Sequence, residues 1–272
     1  QVCCASKHLK KRSCIRKKKG RRNKENMGYH ESLTEGRNAV LEAFRSGKTV
    51  DRLFVLDGCQ DGPVKTILRE AKKQDTMVQY VKKERLDQLS ETKNHQGVIA
   101  YCAACEYAEV SDILENAKKK GEAPFIVLLD GIEDPHNLGA IIRTANQAGA
   151  HGVIIPKRRA VGLTATVART SAGAVNYTPV AKVTNLVTVM EDLKKEGMWF
   201  VCADMDGEEM YSLNLKGPIG LVIGNEGEGV SRLVKEHCDM VASIPMKGDI
   251  DSLNASVAMG VLAYEIVRQR RF

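Results

Sequence analysis

From residue 122 to residue 272 the chain alternates short apolar runs with amphipathic stretches, and this alternation restricts its fold more than any other feature of the sequence. Strands are predicted at Phe125–Leu129, Gly152–Ile155, Val175–Val180, Met198–Ala203, Gly220–Ile223 and Met240–Ile244. Helices are predicted near Leu138–Gln147, Leu163–Ser171, Leu186–Glu196 and Val230–His237, with a last one over Leu253–Arg268. Strands at this spacing, separated by helices, form a mostly parallel sheet covered on both faces, so the fold class is α/β. Ligands of such sheets sit at the carboxyl ends of the strands.

Residues 29–104 read as a smaller alternating α/β unit. Leu33, Val40, Leu41 and Phe44 mark one helix face, Leu53–Leu56 is a buried strand, and a helix follows over Val64–Lys73. Next come a strand at Met77–Val81, a short helix through Leu86 and Leu89, and a strand at Val98–Ala103. The polar stretch 105–121 ends in Lys118, Lys119, Lys120 and Gly121; it holds a short helix around Ile113 and Leu114 and reads as a linker to a domain at 122–272. Ahead of both units, eleven Lys or Arg against Glu25 give residues 1–27 a charge of +10, which leaves −3 for the rest of a chain whose total is +7. An arm so poor in apolar residues cannot bury a core, and disorder is expected across 1–28. It could hold phosphate backbones non-specifically. It also ends at Met27, a plausible start, as a tag or upstream translation would, and no function is drawn from it.

Several classes are excluded. The longest apolar stretches, such as Phe125–Leu129, fall far short of the roughly 18–20 residues that span a bilayer, so no membrane segment is expected. The basic N-terminus lacks the apolar region and cleavage site of a secretory signal, which gives a cytoplasmic expectation. The chain has eight cysteines, but only Cys102 and Cys105 make a CxxC; no second pair or nearby His completes a zinc set, and buried reduced thiols are expected.

Three strand-to-loop junctions concentrate Gly, Asn and charged residues. In the first, Asp130 to Ala145, Asn137 can cap the following helix and Arg143 lies inside its first two turns. Asp130, Glu133, Asp134 and His136 could be imagined as metal ligands, but a Pro-kinked turn collects polar residues without one, and no metal is expected. The second junction, Leu221 to Gly229, has the wrong glycine spacing for GxGxxG and no GxxxxGK[ST], while Glu226 and Glu228 would repel phosphate. Its glycines permit close backbone approach, and Glu226 would face a neutral or cationic group. In the third, Ile244 to Ser256, Ser252 and Asn254 offer donors and acceptors at a helix start, as caps or to a ligand. No GxSxG elbow or catalytic Cys signature accompanies them.

NxGxxxRT at Asn137–Thr144, GNExxG at Gly224–Gly229, and IPM followed by SLNxSxA at Ser252–Ala258 resemble, in order and separation, motifs 1, 2 and 3 of the SpoU (TrmH) RNA 2′-O-ribose methyltransferases. Glu35-Gly-Arg-Asn-Ala-Val and His95-Gln-Gly-Val are similar to that family's substrate-binding domain, which has a ribosomal-protein-like fold. The likeness is greatest to bacterial enzymes that methylate a guanosine of large-subunit ribosomal RNA. It implies a C-terminal α/β domain of the SPOUT class with a deep trefoil knot, a homodimer whose site uses both subunits, and S-adenosylmethionine as cofactor. By the same likeness Gly224, Ile244 and Leu253 touch the cofactor. Arg143 is the key catalytic residue, reached from the partner subunit, and Asn137, Glu226, Ser252 and Asn254 occupy the other polar motif positions. We expect Glu226 to orient the arginine or the substrate, and Asn254 and Ser252 to fix substrate and loop. The competing reading of another class is a non-catalytic RNA-binding or ribosome-assembly protein of the same fold; intact polar positions in all three motifs argue against it.

Overall fold

The computed structural model describes residues 32–59, 61–249 and 252–272, and the basic arm with its expected disorder lies outside them. The first unit runs β1 (Ser32–Glu35), α1 (Arg37–Arg45), β2 (Val50–Leu56), α2 (Gly62–Lys73), β3 (Met77–Val81), α3 (Lys83–Leu89) and β4 (Val98–Cys102). Its sheet has the order β1-β4-β2-β3, with β2 and β3 parallel and β4 antiparallel to both β1 and β2. Leu33, expected on the first helix face, lies instead in β1 opposite Tyr101. Gly36, at φ +86, turns the chain sharply between that strand and α1. The Glu35 carboxylate accepts from Ser90 Oγ, Glu91 N at 2.7 Å and Thr92 Oγ1 at 2.7 Å, so it ties β1 to the loop before β4.

The second unit runs α4 (Val110–Lys120), β5 (Phe125–Asp130), α5 (Pro135–Gln147), β6 (Gly152–Pro156), α6 (Ala165–Thr170), a 3-10 turn at Ala174–Asn176, β7 (Val180–Val183), α7 (Leu186–Lys195), β8 (Trp199–Glu209), β9 (Ile219–Gly224), α8 (Arg232–Glu236), β10 (Met240–Ser243) and α9 (Ala255–Arg271). Its six strands, in the order β10-β8-β9-β5-β6-β7, are parallel throughout. The central strand explains why the sequence shows continuous apolar runs here. Phe125, Val127 and Leu129 join one core with Leu138 and Ile141 of α5 and Leu262 and Ile266 of α9, while Ile126 and Leu128 join another with Ile113 of α4 and Met190 of α7.

The segment 105–121, expected as a linker, therefore contributes to the larger core. A Cβ on Gly152 would lie 2.5 Å from Ile113, so α4 packs directly on β6. The strand expected over Val175–Val180 is replaced by the 3-10 turn, and β7 begins only at Val180; Gly173, at φ +81, closes the preceding helix into that turn. At the other end of the domain Arg270 donates to the carbonyls of Ala123, Pro124 and Gly217, with its guanidinium 5.4 Å from the Phe125 ring. The two units meet at a half-buried cluster. Tyr107 Oη donates to Asp51 Oδ1 at 2.9 Å and accepts from Leu163 N at 2.9 Å, and Lys182 Nζ lies 2.5 Å from Asp51 Oδ1. Burial, reinforced by the Asp51 carboxylate, holds the Tyr107 phenol well above its ordinary pKa, so it remains a donor.

Among the described residues, no helix is long and apolar enough to cross a membrane. The five cysteines there are free, with Cys102 and Cys202 buried and Cys59, Cys105 and Cys238 half-buried.

Candidate active site

The three junctions converge at the carboxyl edge of the large sheet. β5 ends at Asp130, a buried carboxylate that accepts from Ser231 N at 2.9 Å and so pins the start of α8 beneath the second junction. Gly131, at φ +79, then turns the chain, and Asn225 Nδ2 donates to its carbonyl at 2.9 Å. The cap of α5 is Asp134, not Asn137: its carboxylate accepts from His136 N at 3.1 Å and Asn137 N at 3.3 Å, with Pro135 preset at the first helical position. The Asp-Pro pair was the sequence signal for this. Freed from capping, the Asn137 side chain points across to the second junction.

There Asn137 Nδ2 donates to Glu226 Oε1 at 3.0 Å. Asn254 Nδ2 donates to Asn137 Oδ1 at 3.0 Å and also to Glu226 Oε1, which further accepts from Ala255 N at 3.4 Å. Asn254 is at the same time the cap of α9, accepting from Ser256 N at 3.0 Å. One polar network thus joins residues 117 positions apart. The turn that presents Glu226 is closed by reciprocal bonds between Asn225 and Gly229, at 3.1 and 2.8 Å. Its narrowness depends on Gly224, where a Cβ would fall 2.1 Å from the Gly229 carbonyl carbon.

Beside the network opens a cavity of about 650 Å³, within the size range of small-molecule sites. Gly224, Ile244, Leu253, Glu226, Ser252 and Ala258, the last residue of the third motif, line it, together with residues that sequence reasoning missed: Asp204, Met205 and Glu209 of β8, and Ile223. The β8 residues carried no signal, because the strand was expected to stop at Ala203 and runs on to Glu209. The described lining contains Asp204, Glu209, Glu226 and Glu228 and no Lys or Arg, so it suits a neutral or cationic ligand and repels a phosphate. Burial pushes the Asp204 carboxyl upward, but the Lys235 ammonium at 2.7 Å and the Asp206 amide outweigh it and hold the group below its ordinary value. Among the described residues no group of three or more His, Cys, Asp or Glu is arranged to hold a metal ion.

Arg143 stands apart. It is exposed on α5, outside the cavity lining, and its side chain forms no hydrogen bond or ion pair with another described residue. Glu226, expected to orient the arginine or the substrate, holds the two asparagines within its own chain.

Residues 124–264 match the SpoU rRNA Methylase family, and residues 33–108 match the RNA 2′-O ribose methyltransferase substrate binding family. The chain belongs to the SpoU (TrmH) family of RNA methyltransferases. The family is also marked by a Bacillus subtilis protein assigned to the TrmH tRNA/rRNA methyltransferases, YacO, which is 49% identical over 90% of this chain and 98% of its own length. Among solved structures, the SpoU methyltransferase AviRb from Streptomyces viridochromogenes in complex with AdoMet superposes with a TM-score of 0.56 at 27% identity, covering 93% of this chain and 95% of that one. The AdoMet-bound rRNA methyltransferase from Sinorhizobium meliloti gives 0.55 at 25% identity, covering 87% and 86%. The matched SpoU methylase region takes in all three junctions, and the substrate-binding match takes in nearly all of the smaller sheet.

Proposed function

We propose that this chain transfers a methyl group from S-adenosylmethionine to a ribose 2′-hydroxyl in RNA, with a guanosine of large-subunit ribosomal RNA as the favoured substrate. The observation that carries the reading is the Asn137–Glu226–Asn254 network, which brings all three family motifs to the rim of one acidic, lysine-free cavity. That cavity fits the cofactor: its carboxylates tolerate a sulfonium cation, and the apolar side chains of Ile223, Ile244 and Leu253 suit an adenine ring. Bound there, S-adenosylmethionine supplies an electrophilic methyl group for in-line displacement.

What the protein must add is alignment and charge control. Gly224 lets the backbone approach closely, and Ile244 and Leu253 hold an apolar moiety between two chain segments. Glu226 fixes Asn137 and Asn254, leaving Asn137 a further N–H and carbonyl lone pair for the RNA, while both N–H groups and both carbonyl lone pairs of Asn254 are engaged by Asn137, Glu226 and Ser256. An exposed arginine without a partner among the described residues is suited to a site on a second copy, so the reading includes a homodimer in which Arg143 crosses to the other subunit's cavity. Its planar guanidinium, a fork of N–H donors with no acceptor, anchors phosphate and polarises the hydroxyl; it does not act as a base. The reading also includes a trefoil knot at the carboxyl end of the sheet.

The test is ribose-methylation mapping by mass spectrometry on ribosomal and transfer RNA from cells with and without the protein, together with transfer assays on purified wild type and Arg143→Ala. A mark that disappears with the gene names the substrate, and Arg143→Ala is expected to lose transfer while keeping cofactor affinity. Unchanged turnover in that variant would sink the role given to Arg143, and light scattering that finds a monomer would sink the shared site.

A further inference from the structure

The loop after β6 carries Lys157, Arg158 and Arg159 in sequence, and α6 behind it carries Arg169. Arg158, Arg159 and Arg169 are all exposed, and none forms an ion pair with a described residue. Of the acids that reach this loop from the smaller unit, Asp75 is already held by Lys157 at 2.6 Å and Asp51, beside Gly162, by Lys182. Arg158 feels the Asp75 carboxylate only through space, and Arg159 pairs with no described acid, so both guanidiniums keep their donors for another partner. Among the described residues the Arg169 guanidinium donates to the Thr166 hydroxyl at 3.2 Å, which uses one of its five N–H groups. Arg159 also sits at φ +53, a left-handed conformation that costs energy for a side chain of its size.

The position of this group matters more than its charge. Val161 N donates to the Ile132 carbonyl at 3.0 Å, which fastens the arginine loop to the turn that presents Asn137. Thr170 Oγ1 donates to the Pro135 carbonyl at 3.3 Å, so Arg169 is carried on a helix docked against the start of α5. Gly139 allows that docking, since a Cβ there would meet Thr170 Oγ1 at 1.8 Å. On its other side the loop reaches the smaller unit through Lys157 and Asp75. The arginines thus border both the seam between the two units and the first junction of the site.

We infer that Arg158, Arg159 and Arg169 form a phosphate-binding track that carries the RNA backbone from the substrate-binding domain to the methyl-transfer site. The inference rests on the RNA methyltransferase reading above, because the cavity is acidic and needs a separate cationic surface to hold a polyanion beside it. Planar guanidinium forks suit phosphate oxygens, and such contacts position nucleic acid without reading its sequence.

The test compares two full-length triple variants that remove the same charge: R158A/R159A/R169A, and K118A/K119A/K120A at the far end of α4. Binding of a 5′-fluorescein-labelled RNA stem-loop is followed by anisotropy over about 50–200 mM salt. S-adenosylmethionine binding is measured in parallel by calorimetry. The basic arm is present in both variants, so its contribution cancels. The arginine variant is expected to bind RNA at least tenfold more weakly than the lysine variant, with the slope of log K against log salt shallower by about 2 and cofactor affinity within twofold of wild type. Equal affinity and slope in the two variants, with wild type still binding RNA and cofactor, overturns the track alone. A wild-type chain that binds neither overturns the methyltransferase reading, and the track with it.

Discussion

Gly224→Ala should damage the second junction in a way that Gly227→Ala, three residues along the same turn, does not. A Cβ at Gly224 would meet the Gly229 carbonyl carbon at 2.1 Å, its oxygen at 2.2 Å and Val230 N at 2.2 Å. These are backbone atoms, so no rotamer change relieves the clash, and the turn must open by on the order of 1 Å. Overpacking of this kind costs about 1–3 kcal/mol. For a domain of this size that corresponds to a fall in Tm of roughly 2–12 °C. Because the turn carries Glu226, its opening also pulls the carboxylate from Asn137 and Asn254, and cofactor binding should weaken by more than tenfold. At Gly227 the nearest atom to a new Cβ is Asn225 Oδ1 at 3.5 Å, an ordinary contact, so stability should change by less than about 0.5 kcal/mol. Scanning fluorimetry and calorimetric titration of S-adenosylmethionine on both variants decide the matter. Equal Tm values would refute the steric argument, and a destabilised Gly224→Ala with wild-type cofactor affinity would refute the link from turn to site.

Glu226→Gln keeps the shape but removes the charge that Asn137 and Asn254 share, and replacing a charged acceptor by a neutral one should lower kcat about five- to tenfold with Tm little changed; a wild-type kcat would remove Glu226 from the positioning network. Tyr107→Phe leaves Leu163 N without its acceptor and Asp51 with Lys182 as its remaining donor, for a loss of about 1–3 kcal/mol in urea denaturation, whereas the exposed Tyr80→Phe should be silent. His151 is fully buried, accepts from Phe125 N through Nδ1 at 3.0 Å, and is held below its ordinary pKa by burial and Lys120 against the opposing pull of Glu122. The unfolded chain then binds a proton near pH 6.5 that the folded chain resists. Stability is therefore full above about pH 6.5 and falls as pH drops below it. His151→Asn should flatten that limb of the urea midpoint against pH, and an unchanged limb would assign it to another group.

Much of the fold was legible because parallel strands buried on both faces leave unbroken apolar runs. β3 occupies Met77–Val81 as the pattern indicates, and β5, β6, β9 and β10 differ from expectation only at their ends. The failures have a common physical source in long-range contacts. Leu33 fits a helix face as well as a strand, and only pairing with Tyr101, far along the chain, selects the strand. The extension of β8 to Glu209 likewise depends on β10 beside it, where Gly207 lies so close to Val241 that a Cβ would fall 2.5 Å from its carbonyl oxygen. Ile113 seemed to belong to a polar connection until Gly152 offered it a surface. At the site, the motif spacing brought the three junctions into view, and the partners of Glu226 were not readable, since a carboxylate flanked by glycines can turn toward an arginine or toward amides with equal ease.

The Arg270 clamp bears on the order in which the molecule is made. The guanidinium that closes the start of β5 comes from 147 residues downstream of Ala123. On a ribosome adding about 5–20 residues per second, β5 would wait roughly 7–30 s for that partner. The smaller unit pairs its strands within itself and can complete its sheet in that interval. Assembly is thus staged, with an RNA-binding module finished early on the nascent chain and a methyl-transfer module that closes only when the last helix emerges.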